Sequence, residues 1–383
     1  MDFELGEAQR ELRELARAWV DKEVVPHAAA WDRAEAVDTA IVGKLGDMGF
    51  LGIEIPEEYG GSGGTPLDYC LLLEELGRGD SSVRGIVSVS LGLVSKSIKT
   101  YGTEAQKRQW LPRLCAGQAL GCFGLTEPGT GSDAGSLTTK AVADGQDWLL
   151  SGTKVFITNG TWAEVAIIFA RTGGPGPKGV TAFLVPTDAP GFTRTEIKGK
   201  LGLRGQATAE LVLDQVRVPD ANRLGELGQG FKLAMAALDK GRMGVAAGCV
   251  GVARGCLEES VKYAGQREQF GKPIASYQLV QELLADIAVD VEAARLLTWR
   301  VADLVAKGKP FGAEASVAKL FASEAAVKAA NNAIQVFGGY GYIDEYPVAK
   351  YLRDARVLTL YEGTSQIQKL LIGRALTGVN AFN

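Results

Sequence analysis

Apolar positions in the first part of the chain recur at helical spacing. Leu12, Leu15, Ala16 and Trp19 stand at i, i+3, i+4 and i+7 and so share one helix face, which Pro26 is expected to close. A glycine loop, Glu58 through Gly64, precedes a second apolar-periodic stretch beginning near Leu67, and helical texture runs to about Gly117. From about 121 to 219 the pattern changes. Six of the 13 prolines fall there, and the apolar segments become short and β-like: Trp148-Leu149-Leu150, Lys154 to Thr158, Val165 to Ala170, Val180 to Val185 and Leu211-Val212-Leu213. Gly173 to Pro177 supplies the loop that an antiparallel hairpin needs. Beyond about 228 only three prolines remain, and Leu284, Ile287, Val291, Ala294 and Leu297 trace a long stripe that Gly308 and Pro310 terminate. Stripes of this kind pack as helical bundles. The pattern predicts an α+β multidomain chain: a helical domain over 1–120, a β domain over 121–227 and a helical bundle over 228–383.

Composition narrows the chemistry. With 383 residues the chain has room for two or three domains, and 41 Lys+Arg against 45 Asp+Glu argue against a surface dominated by nucleic-acid binding. There is one histidine, His27, which excludes a two-histidine zinc site. Gly60-Gly61-Ser62-Gly63-Gly64 has the spacing of a serine nucleophile elbow, but His27 precedes it, the reverse of the hydrolase order, so it reads as a loop. His27 itself reads as a surface residue at a helix end. Five cysteines without a CxxC pair indicate neither a disulfide framework nor zinc, and no metal is expected. The apolar runs fall far short of the roughly 18 residues of a membrane span, and the acidic start, Met1-Asp2-Phe3-Glu4, is unlike a signal peptide. A cytoplasmic protein is the expectation.

Nucleotide motifs come next. Gly129, Gly131 and Gly135 are spaced GxGxxxG and lie outside any strand-helix repeat, so a Rossmann fingerprint is absent, and no Gly-Lys pair is followed by Ser or Thr as a P-loop requires. The stretch Gly124 to Ser136 offers free backbone amides and the hydroxyls of Thr126, Thr130 and Ser132; it fits a polar ligand or a plain loop. Near the C-terminus Ser365 and Gln368 have capping-box spacing, which puts Glu362 in a turn between two helices. After apolar Leu360 and Tyr361 this carboxylate is either an ordinary helix-end acid or a desolvated base working near neutral pH.

Five stretches in order resemble the acyl-CoA dehydrogenase family over essentially the whole chain. They are Leu125-Thr126-Glu127-Pro128 through Ser132-Asp133; Phe156-Ile157-Thr158-Asn159-Gly160; Arg267-Glu268-Gln269-Phe270-Gly271-Lys272; Gln335 through Gly341 leading to Arg353-Asp354; and Tyr361-Glu362-Gly363-Thr364. The resemblance implies an N-terminal helical domain, a middle β-barrel and a C-terminal four-helix bundle. It implies FAD as cofactor, with Thr126, Ser132, Phe156 and Thr158 at the flavin, and Arg267, Phe270, Gln278, Gln335, Gly339, Thr364 and Gln366 at the pyrophosphate and adenosine end. Part of that second set would serve a neighbouring subunit's cofactor in a homotetramer built as a dimer of dimers. Ser132, Asp239, Arg242 and Gly363 would line the path of an acyl-CoA, Glu362 would be the base, and an electron-transferring flavoprotein would accept the electrons. Bland alternatives stand beside three of these: Phe156 and Phe270 as core aromatics, Arg242 as a surface helix residue.

Some members of the family carry their base where this chain has Gly241, which cannot act as one. That favours Glu362 and a short-chain or straight-chain acyl group. The family's usual Ser after the loop Gly202-Leu203-Arg204-Gly205 is replaced by Gln206-Ala207. Rival readings are an acyl-CoA oxidase that uses oxygen, for which the chain is short, a nitroalkane oxidase, whose base is Asp, and a catalytically idle acyl-CoA or flavin-binding scaffold.

Overall fold

The computed structural model describes residues 4–381; Met1, Asp2 and Phe3, on which the reading of the acidic start rests, lie outside the described residues, as do Phe382 and Asn383. Seven helices come first: α1 (Glu7–Glu23), α2 (Val25–Ala34), α3 (Ala40–Asp47), α4 (Pro66–Gly79), α5 (Ser81–Val89), α6 (Lys96–Tyr101) and α7 (Glu104–Cys115). Two details differ from the periodicity. Pro26 does not close α1 but sits in the first turn of α2, where its missing N–H is no loss. Leu15 is exposed, and α1 buries Ala16 and Val20 with Leu12 and Trp19 half-buried beside them. His27 lies exposed on α2, its ring 5.4 Å from that of Trp31. Between α5 and α6 the helix continues through Ser90–Ser95 with π-type pairing, a distortion that often marks functional ground.

Eight strands follow: β1 (Gly121–Gly124), β2 (Lys140–Asp144), β3 (Asp147–Thr158), β4 (Val165–Arg171), β5 (Val180–Pro186), β6 (Phe192–Glu196), β7 (Thr208–Pro219) and β8 (Arg223–Leu224). They pair in the order β6-β7-β3-β2-β4-β5-β8, with β1 added parallel to β4. Gly173 to Pro177 does connect an antiparallel pair, β4 and β5. Trp148 to Leu150 and Lys154 to Thr158 belong to one strand, β3, whose register against β7 slips twice, the second time between Lys154 and Ile157. Inward residues of β1 to β7 share one core (Cys122, Ala141, Ile168, Phe183, Phe192 and Leu211 among them), so the sheet curls about itself. The other face of β4, with Val165, Ile167 and Phe169, joins the helical core, which is why this strand has no polar side.

The chain returns to helices with α8 (Gly230–Gln266), a short hairpin of β9 (Glu268–Gln269) and β10 (Lys272–Pro273), α9 (Gln278–Ala306), α10 (Gly312–Phe337), α11 (Val348–Leu358) and α12 (Ser365–Thr377). The stripe from Leu284 to Leu297 lies on α9, where Ile287, Val291 and Ala294 are buried, and Gly308 follows the helix end with φ 62°. α8 packs against α4 backbone to backbone: a Cβ on Gly77 would stand 2.4 Å from the Gly248 carbonyl oxygen, and one on Gly251 would stand 2.0 Å from that of Glu74. Glycines here cost helix propensity but allow this approach. A buried network ties the same helices together, with Arg254 paired to Glu74 and Glu75 and Arg295 paired to Glu74.

Candidate active site

Glu362 stands in the turn between α11 and α12, with φ 51°, followed by Gly363 at φ 92°. Two successive left-handed residues are strained when one is not glycine, and such strain persists only where surroundings enforce it. They do so here. Gln368 donates from Nε2 to the carbonyls of Glu362 and Gly363, each at 3.1 Å. Lys319 Nζ donates to the Gly363 carbonyl at 2.8 Å, and Arg242 Nε reaches the Glu362 carbonyl at 3.4 Å. The capping-box reading of Ser365 is corrected. Thr364 is the N-cap, accepting from the Ile367 N–H, and Gln368 is thereby released to brace the turn.

The Glu362 carboxylate oxygen Oε2 is buried without a hydrogen-bond partner among the described residues. It lies against Gly241 of α8, where a Cβ would come within 2.2 Å of it. Gly241 therefore makes room for the acid, beyond merely lacking one. Burial drives the carboxyl up to about 7, against the pull of Arg84, Arg242 and Lys319. An acid tuned to neutral pH with nothing to bond is poised to take a proton from carbon. Arg242 is only 6% exposed, so it is no surface helix residue, and its Nη1 pairs with Asp239 at 2.5 Å.

Glu127, another acid of the five stretches, is differently placed. Burial pushes it up, but Lys154 at 2.8 Å and donors from Thr138 and Thr139 win and hold it down to about 2. It is a structural counter-ion and cannot serve as an alternative base.

The remaining positions form two groups. Thr126 follows β1, its carbonyl accepting from the Val155 N–H at 2.9 Å, and Thr158 ends β3 with its hydroxyl 3.4 Å from Gln206 Oε1. Between them Phe156 sits at the second register slip, with φ 60° and 67% exposed, so it is not a core aromatic. Ser132 is exposed in the open stretch where a Cβ on Gly129 or Gly131 would meet nothing within 4 Å. The second group lies at the far end of α8. Arg267 caps α8 and, with Gly339, lines a cleft of about 500 Å³; its guanidinium lies over the Tyr340 ring at 5.6 Å. Phe270 projects from the β9–β10 turn at 94% exposure, again no core residue, and Gln278 and Gln335 are exposed; Gln366 is exposed as well, but in the first turn of α12 next to the Glu362 turn. No hydrogen bond or ion pair among the described residues links this second group to Glu362.

These features suit a flavin dinucleotide: a planar aromatic held outward on a strained backbone, an open glycine-rich stretch in the same domain, and a separate cleft whose one cation among the described residues is Arg267. Sequence reading missed Arg84, Lys319 and Tyr361. Lys319 interrupts the buried alanine face of α10, and Arg84 interrupts Val83 to Val87; a charge inside an apolar stripe was the available signal.

Comparison with known proteins agrees with this architecture. Residues 6–118, 122–216 and 228–377 match the N-terminal, middle and C-terminal domains of acyl-CoA dehydrogenase. The chain is 45% identical over 370 residues to the mitochondrial short-chain specific acyl-CoA dehydrogenase of Rattus norvegicus, covering 96% of this chain and 90% of that protein. The structure of butyryl-CoA dehydrogenase from Megasphaera elsdenii superposes with TM-score 0.96 at 42% identity, covering 98% of this chain and all of that one. Glutaryl-CoA dehydrogenase from Mycobacterium smegmatis in complex with FADH2 gives TM-score 0.95 at 39% identity over 99% and 97%. Among the described residues no helix is long and apolar enough to cross a membrane. The chain belongs to the acyl-CoA dehydrogenase family of FAD-dependent oxidoreductases.

Proposed function

We propose that the protein dehydrogenates a short- or medium-chain acyl-CoA thioester between its α and β carbons, giving a trans-2-enoyl-CoA, with Glu362 removing the α proton. The observation that carries this is the half-buried Glu362, whose Oε2 is buried and unbonded and whose carboxyl is held near neutral pKa in a braced turn against Gly241. FAD, when bound, supplies the acceptor for the β hydride. Thr126, Ser132, Phe156 and Thr158 would hold its flavin, and Arg267, Phe270, Gln278, Gln335, Gly339, Thr364 and Gln366 its diphosphate and adenosine portions, some of them across a subunit boundary of a homotetramer.

The chain's own residues prepare the proton transfer. Arg84, Arg242 and Lys319 favour the ionised acid, so that about half of it is carboxylate at neutral pH although it is buried. The backbone N–H of Glu362 makes no hydrogen bond to another described residue and is free to donate to the thioester oxygen as enolate-like charge develops. Gln368 and Lys319 fix the turn so that this N–H and the carboxylate keep their places. Asp239, Arg242 and Gly363 border the path of the thioester. We divide the chain at about 120 and 227, and assign the electrons to an electron-transferring flavoprotein.

Anaerobic mixing of the FAD-loaded enzyme with a panel of acyl-CoA thioesters tests the reading. Bleaching of the flavin absorbance by wild type but not by Glu362→Gln is the expected result. A Glu362→Gln protein that bleaches at the wild-type rate would place the base elsewhere, and rapid peroxide formation in air would make the enzyme an oxidase.

A further inference from the structure

Arg84 acts on Glu362 only through space, and that leaves its own hydrogen-bond donors incompletely used. It is 2% exposed on α5 and, among the described residues, has no carboxylate within ion-pair distance. Other buried cations have their donors used: Arg78 pairs with Asp21 and Glu75, Lys154 with Glu127 and Lys350 with Asp80, while Lys319, which also lacks a carboxylate partner among the described residues, donates to the Gly363 carbonyl. Arg84 donates from Nη2 to the Tyr361 phenol, while its Nε has no partner. A guanidinium buried without its anion is an expensive arrangement that folds retain for a reason.

Its surroundings give the reason. Ser88, one turn further along α5, and Tyr69 have buried hydroxyls that face each other and reach no other partner among the described residues. Positions 241, 244 and 248 of α8 are all glycine and share one helix face. A Cβ on Gly241 would meet Glu362 Oε2 at 2.2 Å, one on Gly244 the Tyr69 hydroxyl at 2.9 Å, and one on Gly248 Arg84 Nε at 2.9 Å. The same face of α8 thus runs from the base, past a hydroxyl, to an unpaired guanidinium, over about 10 Å at roughly 1.5 Å per residue. Glu362 is electrostatically coupled to both Arg84 and Tyr69, so the three border one region.

A plain alkyl tail laid along this face would leave the donors unsatisfied, and buried polar atoms are rarely left so. We infer that the acyl group carries a terminal carboxylate, bound by Arg84 with help from the Ser88 and Tyr69 hydroxyls: the substrate class is the mono-CoA thioester of a short dicarboxylic acid. Hydrogen-bond contacts of about 3 Å at each end of the 10 Å interval leave roughly 4 Å for the intervening carbons, which favours acids of four to six carbons. The inference rests on the acyl-CoA reading above and narrows it.

The test uses FAD-loaded enzyme with butyryl-, hexanoyl-, succinyl-, glutaryl- and adipyl-CoA, following anaerobic bleaching. A dicarboxylic thioester should exceed its uncharged counterpart in kcat/KM by roughly 10⁴–10⁵, as expected where a buried polar site rejects an analogue lacking the matching group. Arg84→Met should collapse that ratio, and Arg84→Lys should restore part of it, with flavin content measured in each variant. Butyryl- or hexanoyl-CoA reacting with wild type as fast as every dicarboxylic thioester would overturn the inference and leave the dehydrogenase reading standing. An unchanged ratio in Arg84→Met would also overturn it. Should none of the five thioesters bleach the flavin, the dehydrogenase reading itself falls, and the inference with it. The wild-type panel decides even if the variants do not fold.

Discussion

Replacing Glu362 by Gln should abolish turnover and, above neutral pH, make the protein more stable. Burial raises this carboxyl from 4.5 to about 7. An acid whose pKa rises on folding binds more protons folded than unfolded between those two values, so stability falls as the pH climbs from about 4.5 and levels off above 7. At about 1.4 kcal/mol per tenfold change in proton affinity, the full loss is about 3 kcal/mol, and about 2 kcal/mol of it develops between pH 5.5 and 8.5. Gln imitates the protonated acid in shape and charge and escapes the loss. For a chain of this size 2 kcal/mol corresponds to roughly 2–3 °C in Tm. Thermal denaturation of FAD-saturated wild type and Glu362→Gln at the two pH values is the assay, with the Tm advantage of the variant growing by that amount at the higher pH. A Tm difference that is the same at both pH values, or that favours wild type more at pH 8.5, would refute the claim that Glu362 is a desolvated, strained acid. Loss of at least 10²–10⁴-fold in kcat/KM in the same variant is the functional counterpart.

The rate of flavin bleaching by a good substrate should rise with pH through a midpoint near 7, falling by roughly tenfold from pH 8 to pH 6; a profile flat over that range would remove Glu362 from the rate equation. Gly241→Ala places a methyl group where Oε2 lies, and because the carboxylate end is the part free to move, the variant should fold and keep FAD but lose about 10²-fold or more in kcat. Wild-type kcat in Gly241→Ala would show that the acid works from another position. Glu127→Gln leaves Lys154 buried without its anion and should cost about 3–5 kcal/mol, read as a Tm drop of several degrees; an unchanged Tm would mean that Lys154 finds another partner.

Much of the layout is legible in the sequence because it rests on periodicity. The stripe from Leu284 to Leu297 and the short apolar strands of the middle region report their own burial. The turn holding Glu362 could be located from its flanking helices. What could not be read depends on side chains meeting across large separations. Ser365 does not cap α12 because Thr364 does, and its hydroxyl bonds Glu324 of α10 instead, a tertiary contact that capping spacing does not report. Leu15 is exposed because α4 covers only part of the stripe on α1, so helical spacing overstated the buried width. Arg84 and Lys319 converge on Glu362 from α5 and α10, and their meeting place exists only once those helices pack.

The close backbone approach of α4 and α8 has a consequence for how the chain acquires its structure. Gly77 and Gly248 touch, yet they are about 170 positions apart, with the whole sheet between them. At typical synthesis speeds of about 5–20 residues per second, the apolar surface of α4 waits roughly 10–30 s after emerging from the ribosome before its partner exists. The N-terminal helices are thus committed to a period as an incomplete, sticky intermediate, whereas the sheet, all of whose strands lie between residues 121 and 224, is synthesised before α8 and can serve as the platform on which the two helical halves meet.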